Sequence, residues 1–94
     1  VDFEWDEEKA ASNERKHGVA FGYAVAVFLD PWRYERLDSA IDYGEERWSI
    51  TGLIGREEIV VAFTFRGEKT RIISARRASR DERREYWQDR LLHS

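Results

Sequence analysis

The clearest pattern in the chain lies between Glu58 and Phe65, where Ile59, Val61, Phe63 and Phe65 alternate with less apolar positions. A period of two is the signature of a strand with one buried face. Arg47 to Ile54 has the same character, with Trp48 and Ile50 set between Arg47, Ser49 and Thr51. Lys69 to Ala75 gives a further strand around Ile72 and Ile73, and Trp32 to Leu37 an aromatic one around Trp32 and Tyr34. Gly55-Arg56-Glu57 and Arg66-Gly67-Glu68 are short turns, so the last three strands must pair antiparallel. Ser39 to Gly44 reads as a polar loop.

Elsewhere the period is helical. Asp6 is a suitable N-cap, Glu7 and Glu8 suit a first turn, and Lys16-His17-Gly18 suits an end. Ala10, Asn13 and His17 then share a face. Phe21, Ala24, Val25 and Phe28 predict a second helix to Leu29, stopped by Asp30-Pro31. Ser79 and Glu82 have capping-box spacing and open a last helix running to about Leu92. Phe3 to Trp5 is an edge strand or an extended lead-in. The expectation is one α+β domain over 1–94: an N-terminal helical hairpin and a C-terminal helix on a four-stranded, mainly antiparallel sheet.

Composition narrows the function classes. With 41% apolar and 14% aromatic residues the chain has the makings of a core despite 37% charge. It has no cysteine, which removes disulfides and cysteine-bound zinc. No apolar run approaches the ~20 residues of a membrane span, and the acidic start is unlike a secretion signal. A cytoplasmic location without a membrane partner is expected. Net charge is −3, but it is unevenly placed. Residues 1–65 hold 7 Lys/Arg and 14 Asp/Glu, whereas residues 66–94 hold 9 Lys/Arg and 5 Asp/Glu.

The basic part centres on Thr70 to Arg84, a strand end, two arginines and a helix start. A helix N-terminus favours anions, and the arginine fork matches a phosphate. A phosphodiester ligand is the natural candidate.

Four blocks carry a resemblance: FEWDEEKAASNERKHGV (Phe3–Val19), VFLDP (Val27–Pro31), ERWSITG (Glu46–Gly52) and RIISARRASRDERREY (Arg71–Tyr86). Together they resemble the BrnT family, toxins of type II toxin–antitoxin modules. The resemblance implies a RelE-like fold and an endoribonuclease that arrests growth by cutting RNA. It also implies a BrnA-type antitoxin that wraps the toxin and binds operator DNA, so that the chain meets DNA only indirectly. Ala20, Gly22 and Tyr23 depart from the family pattern, where a Ser and acidic residues are usual, and Trp32 to Tyr43 does not match closely.

Such an enzyme needs no cofactor. The neighbouring 2′-hydroxyl attacks, and the protein moves two protons and stabilises a charged transition state. Arg76 and Arg66 are candidates for the charge, and Lys16, His17 and Tyr86 for the protons. Arg71, Arg77, Arg83 and Thr64 are candidate RNA contacts. No His-x-x-x-His or Asp-x-Asp spacing occurs, so no metal site is expected. Each candidate has a plainer rival: Lys16 and His17 as helix-end cations, Arg66 as a turn residue, Arg77 as an ion-pair partner, Tyr86 as packing. Glu82 reads as a cap rather than a base. Strict alternation puts Thr64 and Arg66 together, Ser74 and Arg76 with Ile72, and Arg71 with Ile73. Only one of these arginine sets would then join Thr64 and Arg66. The competing readings are a non-catalytic nucleic-acid-binding module and a protein-interaction domain.

Overall fold

In the computed structural model, which describes residues 2–42 and 45–94, three helices pack on one five-stranded mixed sheet. The elements run β1 (Asp2–Glu4), α1 (Glu7–His17), α2 (Phe21–Ala24), a 3-10 turn (Val25–Leu29), β2 (Tyr34–Asp42), β3 (Glu45–Ile54), β4 (Glu57–Arg66), β5 (Lys69–Arg77) and α3 (Arg80–His93). The sheet order is β1-β5-β4-β3-β2. The antiparallel pairing of β3, β4 and β5 is the one that alternation and short turns imply, and β2 extends it antiparallel to β3.

The expectation of four strands was one short. Phe3 belongs to β1, which pairs parallel to β5 with Asp2 opposite Lys69 and Glu4 opposite Arg71. A parallel neighbour needs a crossover, and almost the whole chain supplies it. The loop expected from Ser39 is strand as far as Asp42; Tyr43 and Gly44 lie outside the described residues.

One face of the sheet carries the main core. Val19, Phe21, Ala24 and Val27 lie on Ile50, Ile59, Val61, Phe63, Ile72 and Ala75. Each large apolar side chain buried there contributes about 1.5–3 kcal/mol. The second helix is shorter than expected, four α-helical residues that tighten into the 3-10 turn. Ala20 supplies no side-chain cap at its start, and the Asp30 amide closes its end by donating to the Val27 carbonyl. Close approach to the sheet needs Gly52: a Cβ there would stand 2.8 Å from the Val27 Cβ and 3.0 Å from its carbonyl oxygen.

Beyond β1, the outer edge of β5 is closed by a side chain. Asn13 of α1 is buried and donates to the carbonyls of Ala75 (2.7 Å) and Val19 (3.0 Å). It also accepts from the Ala75 amide at 3.1 Å. The carboxamide thus stands in for a strand partner, satisfying backbone groups that would otherwise be buried and unpaired.

The other face is set by a bulge in β5. Ala62 pairs with Ser74 but Phe63 pairs with Ile72, so Ile73 has no opposite number. Strict alternation therefore fails. Paired residues project to the same side, so Arg71 joins Thr64, Ser74 joins Ala62 and Arg76 joins Val60. Ser74 and Arg76 do not share a face with Ile72, which lies in the core with Ala75. Both arginine sets end up on the face opposite α1 and α2, together with Arg66.

Candidate active site

Arg76 lies near the end of β5 and is locked by the start of α3. Its two terminal nitrogens donate to both carboxylate oxygens of Glu82, at 2.6 and 2.8 Å. Glu82 in turn completes the capping box, accepting from the Ser79 amide while Ser79 accepts from the Glu82 amide. The Arg76 hydrogen bonds, helped by the Ser79 amide, hold the Glu82 carboxyl down at about 2. At neutral pH it is a carboxylate that orients Arg76. The Arg76 side chain as a whole remains 39% exposed.

Lys16 and His17 end α1, where three basic residues complement the helix dipole. Gly18 closes the helix at φ 71°. This end borders a groove of about 230 Å³ that also includes Lys9, Ser12, Asn13, Ile73 and Ser74. The groove therefore brings Lys16 and His17 beside the bulge, between Arg71 and Arg76 along β5.

The other candidates spread out. Arg71 donates to Glu4 at 2.7 Å, tying β1 to β5. Arg66 stands at the far end of β4, across from Lys69 and 3.8 Å from Glu45. Thr64 is buried and donates to the Glu46 carbonyl. Arg77 faces the other way, paired with Ile59; it donates to Glu57 at 2.9 Å and to the His17 carbonyl at 3.3 Å. Arg83 donates to the Ala78 carbonyl and lies on a separate shallow surface with Arg56 and Glu57.

Tyr86 is fully buried and donates to the Asp30 carboxylate. Burial, then the Asp30 contact, pushes its hydroxyl up to about 12. Burial also opposes charge on Asp30, but the Tyr86 hydroxyl and the Leu53 and Trp32 amides outweigh it and lower the carboxyl. Arg90 completes the cluster, donating to the Tyr86 hydroxyl at 3.3 Å and lying over the rings of Trp32 and Trp87. This cluster holds α3 to the turn after the 3-10 segment. It keeps Tyr86 away from the groove.

The profile of the ribonuclease toxin BrnT, of type II toxin–antitoxin systems, matches residues 5–82. The chain belongs to the BrnT family. It is thus a ribonuclease toxin with RNA as its target and an antitoxin as its partner. A search for individual curated relatives found no match. The toxin's matched region takes in Lys16, His17, Asn13, the bulge, Arg76 and Glu82, and stops before Tyr86. Among the described residues of the toxin, no three His, Cys, Asp or Glu side chains gather as a metal-binding group. No described helix is long and apolar enough to cross a membrane.

Sequence reasoning missed Asn13, Asp30 and Glu4 as the partners that position this surface. Asn13 had a signal: a carboxamide at a face position of a short helix, shared with Ala10, calls for a buried partner. Asp30 before Pro31 looked like a simple helix stop.

Proposed function

We propose that the toxin cuts RNA in the groove between the C-terminal turn of α1 and β5. The observation that carries this reading is the bulge at Ile73. It puts Arg71, Ser74 and Arg76 on one face of the sheet, next to the groove bordered by Lys16 and His17. In the proposed reaction the ribose 2′-oxygen attacks the adjacent phosphorus and the bond to the 5′-oxygen breaks. The products are a 2′,3′-cyclic phosphate and a 5′-hydroxyl. Arg76 faces the charge that builds on the non-bridging oxygens, held in place by Glu82. Arg71 binds the neighbouring phosphate, and Arg66, Arg83 and Arg77 give peripheral contacts to the strand. His17 and Lys16 are the groups within the groove able to accept the 2′-proton and return one to the leaving 5′-oxygen. Tyr86 acts as a strut for α3, and Thr64 orders the β3 end. No metal takes part. The reading includes a RelE-like fold, a cytoplasmic site of action and silencing by a BrnA-type antitoxin.

The test is incubation of the purified toxin with labelled single-stranded RNA in EDTA, beside Arg76→Lys and His17→Gln variants. We expect cleavage in EDTA, reduced about 10²-fold or more by Arg76→Lys, which keeps the charge but loses the fork. His17→Gln should depress cleavage and flatten its pH profile. Cleavage that requires added Mg²⁺ overturns the metal-free mechanism. RNA that is retained in a salt-sensitive manner yet stays intact supports the runner-up, a binding module.

A further inference from the structure

The face that carries α1 and α2 is only partly covered. Past the 3-10 turn, apolar side chains reach the surface: Leu29 is 83% exposed, Phe65 59% and Leu37 45%. They are not scattered. Phe3 packs on Phe28 at 5.0 Å, Phe28 on Phe63 at 5.1 Å and Phe63 on Phe65 at 5.6 Å between ring centroids. Trp48 pairs with Phe63 and with Leu37 across the strands, extending the strip to the edge of the sheet. A groove of about 360 Å³ opens at its upper end, lined by Phe3, Gly22, Val25, Ala26, Phe28 and Leu29. A contiguous apolar surface of this kind marks an interaction site.

Its rim is acidic. Glu45 and Glu46 border the strip beside Trp48 and Phe65. Glu35 shares the face with Ile50. Against these three carboxylates stand Arg33, held by Glu35, and Arg66, held by Glu45. A polyanion such as RNA is repelled from such a rim, and Arg71 and Arg76, proposed to meet the phosphates, lie on the opposite face of the sheet. The occupant is therefore a protein, with apolar side chains for the strip and basic ones for the rim.

We infer that the strip from Leu29 to Phe65 and its acidic rim are the anchor for a basic amphipathic segment of the antitoxin. Docking there leaves the RNA face to be blocked by the rest of the partner. Two separate footholds on the two faces give more affinity than either alone, because the second binds at the local concentration set by the first. The inference rests on the toxin–antitoxin reading of the chain. It adds a surface and the chemistry of the segment that fills it.

The experiment uses the toxin and the antitoxin protein of the same module, mixed at low and high salt. Leu29→Lys is the main variant, since an 83% exposed side chain supports little of the fold. Phe65→Lys is the second, with thermal melting to check that it folds. Arg76→Lys serves as the opposite-face control. We expect Leu29→Lys to weaken the complex about ten-fold or more, with RNA cleavage by the free toxin unchanged. Raising the salt should weaken the parent complex and narrow the gap to the variant. Parent and both lysine variants binding the antitoxin alike overturns the docking surface and leaves the ribonuclease reading intact. A toxin that changes its own oligomeric state on Leu29→Lys while holding the antitoxin unchanged also overturns it, in favour of a second copy as occupant. No binding by the parent overturns the partner reading and this inference with it.

Discussion

Arg76 and Glu82 are joined through both guanidinium nitrogens and both carboxylate oxygens, one residue from the last strand and the other from the last helix. The same carboxylate caps that helix. An arginine proposed to face a phosphate is thus aimed by the residue that starts the helix behind it.

This pairing gives a pH signature. Glu82 has a folded value of about 2 against an ordinary 4.5, so its contribution is fully present above about 4.5 and is lost as pH falls toward 2. Glu82→Gln should cost about 1–2 kcal/mol at pH 7, from the weakened cap and ion pair. The deficit should shrink steadily between pH 4.5 and 2. Thermal melts of parent and variant across that range check it. A deficit that stays constant down to pH 2 would mean that the pair contributes nothing measurable.

Tyr86→Phe should destabilise the fold by about 1–3 kcal/mol, because Asp30 stays buried with one donor fewer. Cleavage per folded molecule should survive, which separates a strut from a proton donor. The alkaline limb is a second readout. With its value raised from 10 to about 12, Tyr86 favours the protonated folded state, so parent stability falls as pH rises from about 10 to 12. The phenylalanine variant should lack that fall. Loss of cleavage in fully folded Tyr86→Phe would return this residue to the chemistry.

Asn13→Ala removes three hydrogen bonds from the rim of β5 and leaves the Ala75 amide and carbonyl unpaired. A loss of about 2–4 kcal/mol is expected. Hydrogen exchange should show the Ala75 amide losing protection well before the amides of Val61 and Ile59. Unchanged protection at Ala75 would show that another group takes over the edge.

Gly52→Ala should destabilise by about 1–3 kcal/mol by pushing Val27 off β3. Urea denaturation measures this directly. The double variant with Val27→Ala should recover none of the loss, since alanine keeps the Cβ and the backbone that the new methyl group meets.

Much of the fold was legible because it is local. β4 advertises its buried face by alternation, the turns carry their glycines, and Ser79 and Glu82 sit at capping distance in the chain. What stayed hidden depends on contacts far apart in sequence. β1 is three residues long and is a strand only because β5 lies beside it. Tyr86 follows Glu82 by one helical turn and reads as a neighbour on the same surface, yet its burial is decided by Asp30, 56 residues earlier. The site suffered most from the bulge: Ile72 and Ile73 look equivalent in the sequence, and only the partner strand decides which one is skipped.

That skipped residue makes the site a matter of counting. Substitutions at Ile73 leave the tally of residues in β5 unchanged, so Arg71 and Arg76 keep their common side. Removing Ile73 takes out the extra residue itself: β5 would then alternate regularly, with Arg71, Ser74 and Arg76 still on one side and Ile72 and Ala75 still in the core. An added residue is the damaging change: unless it too is bulged out, it turns either a cation inward or an apolar residue outward. With Ile73 present, leaving it unpaired is what keeps Arg71 and Arg76 on the proposed RNA side and Ile72 and Ala75 on the core side.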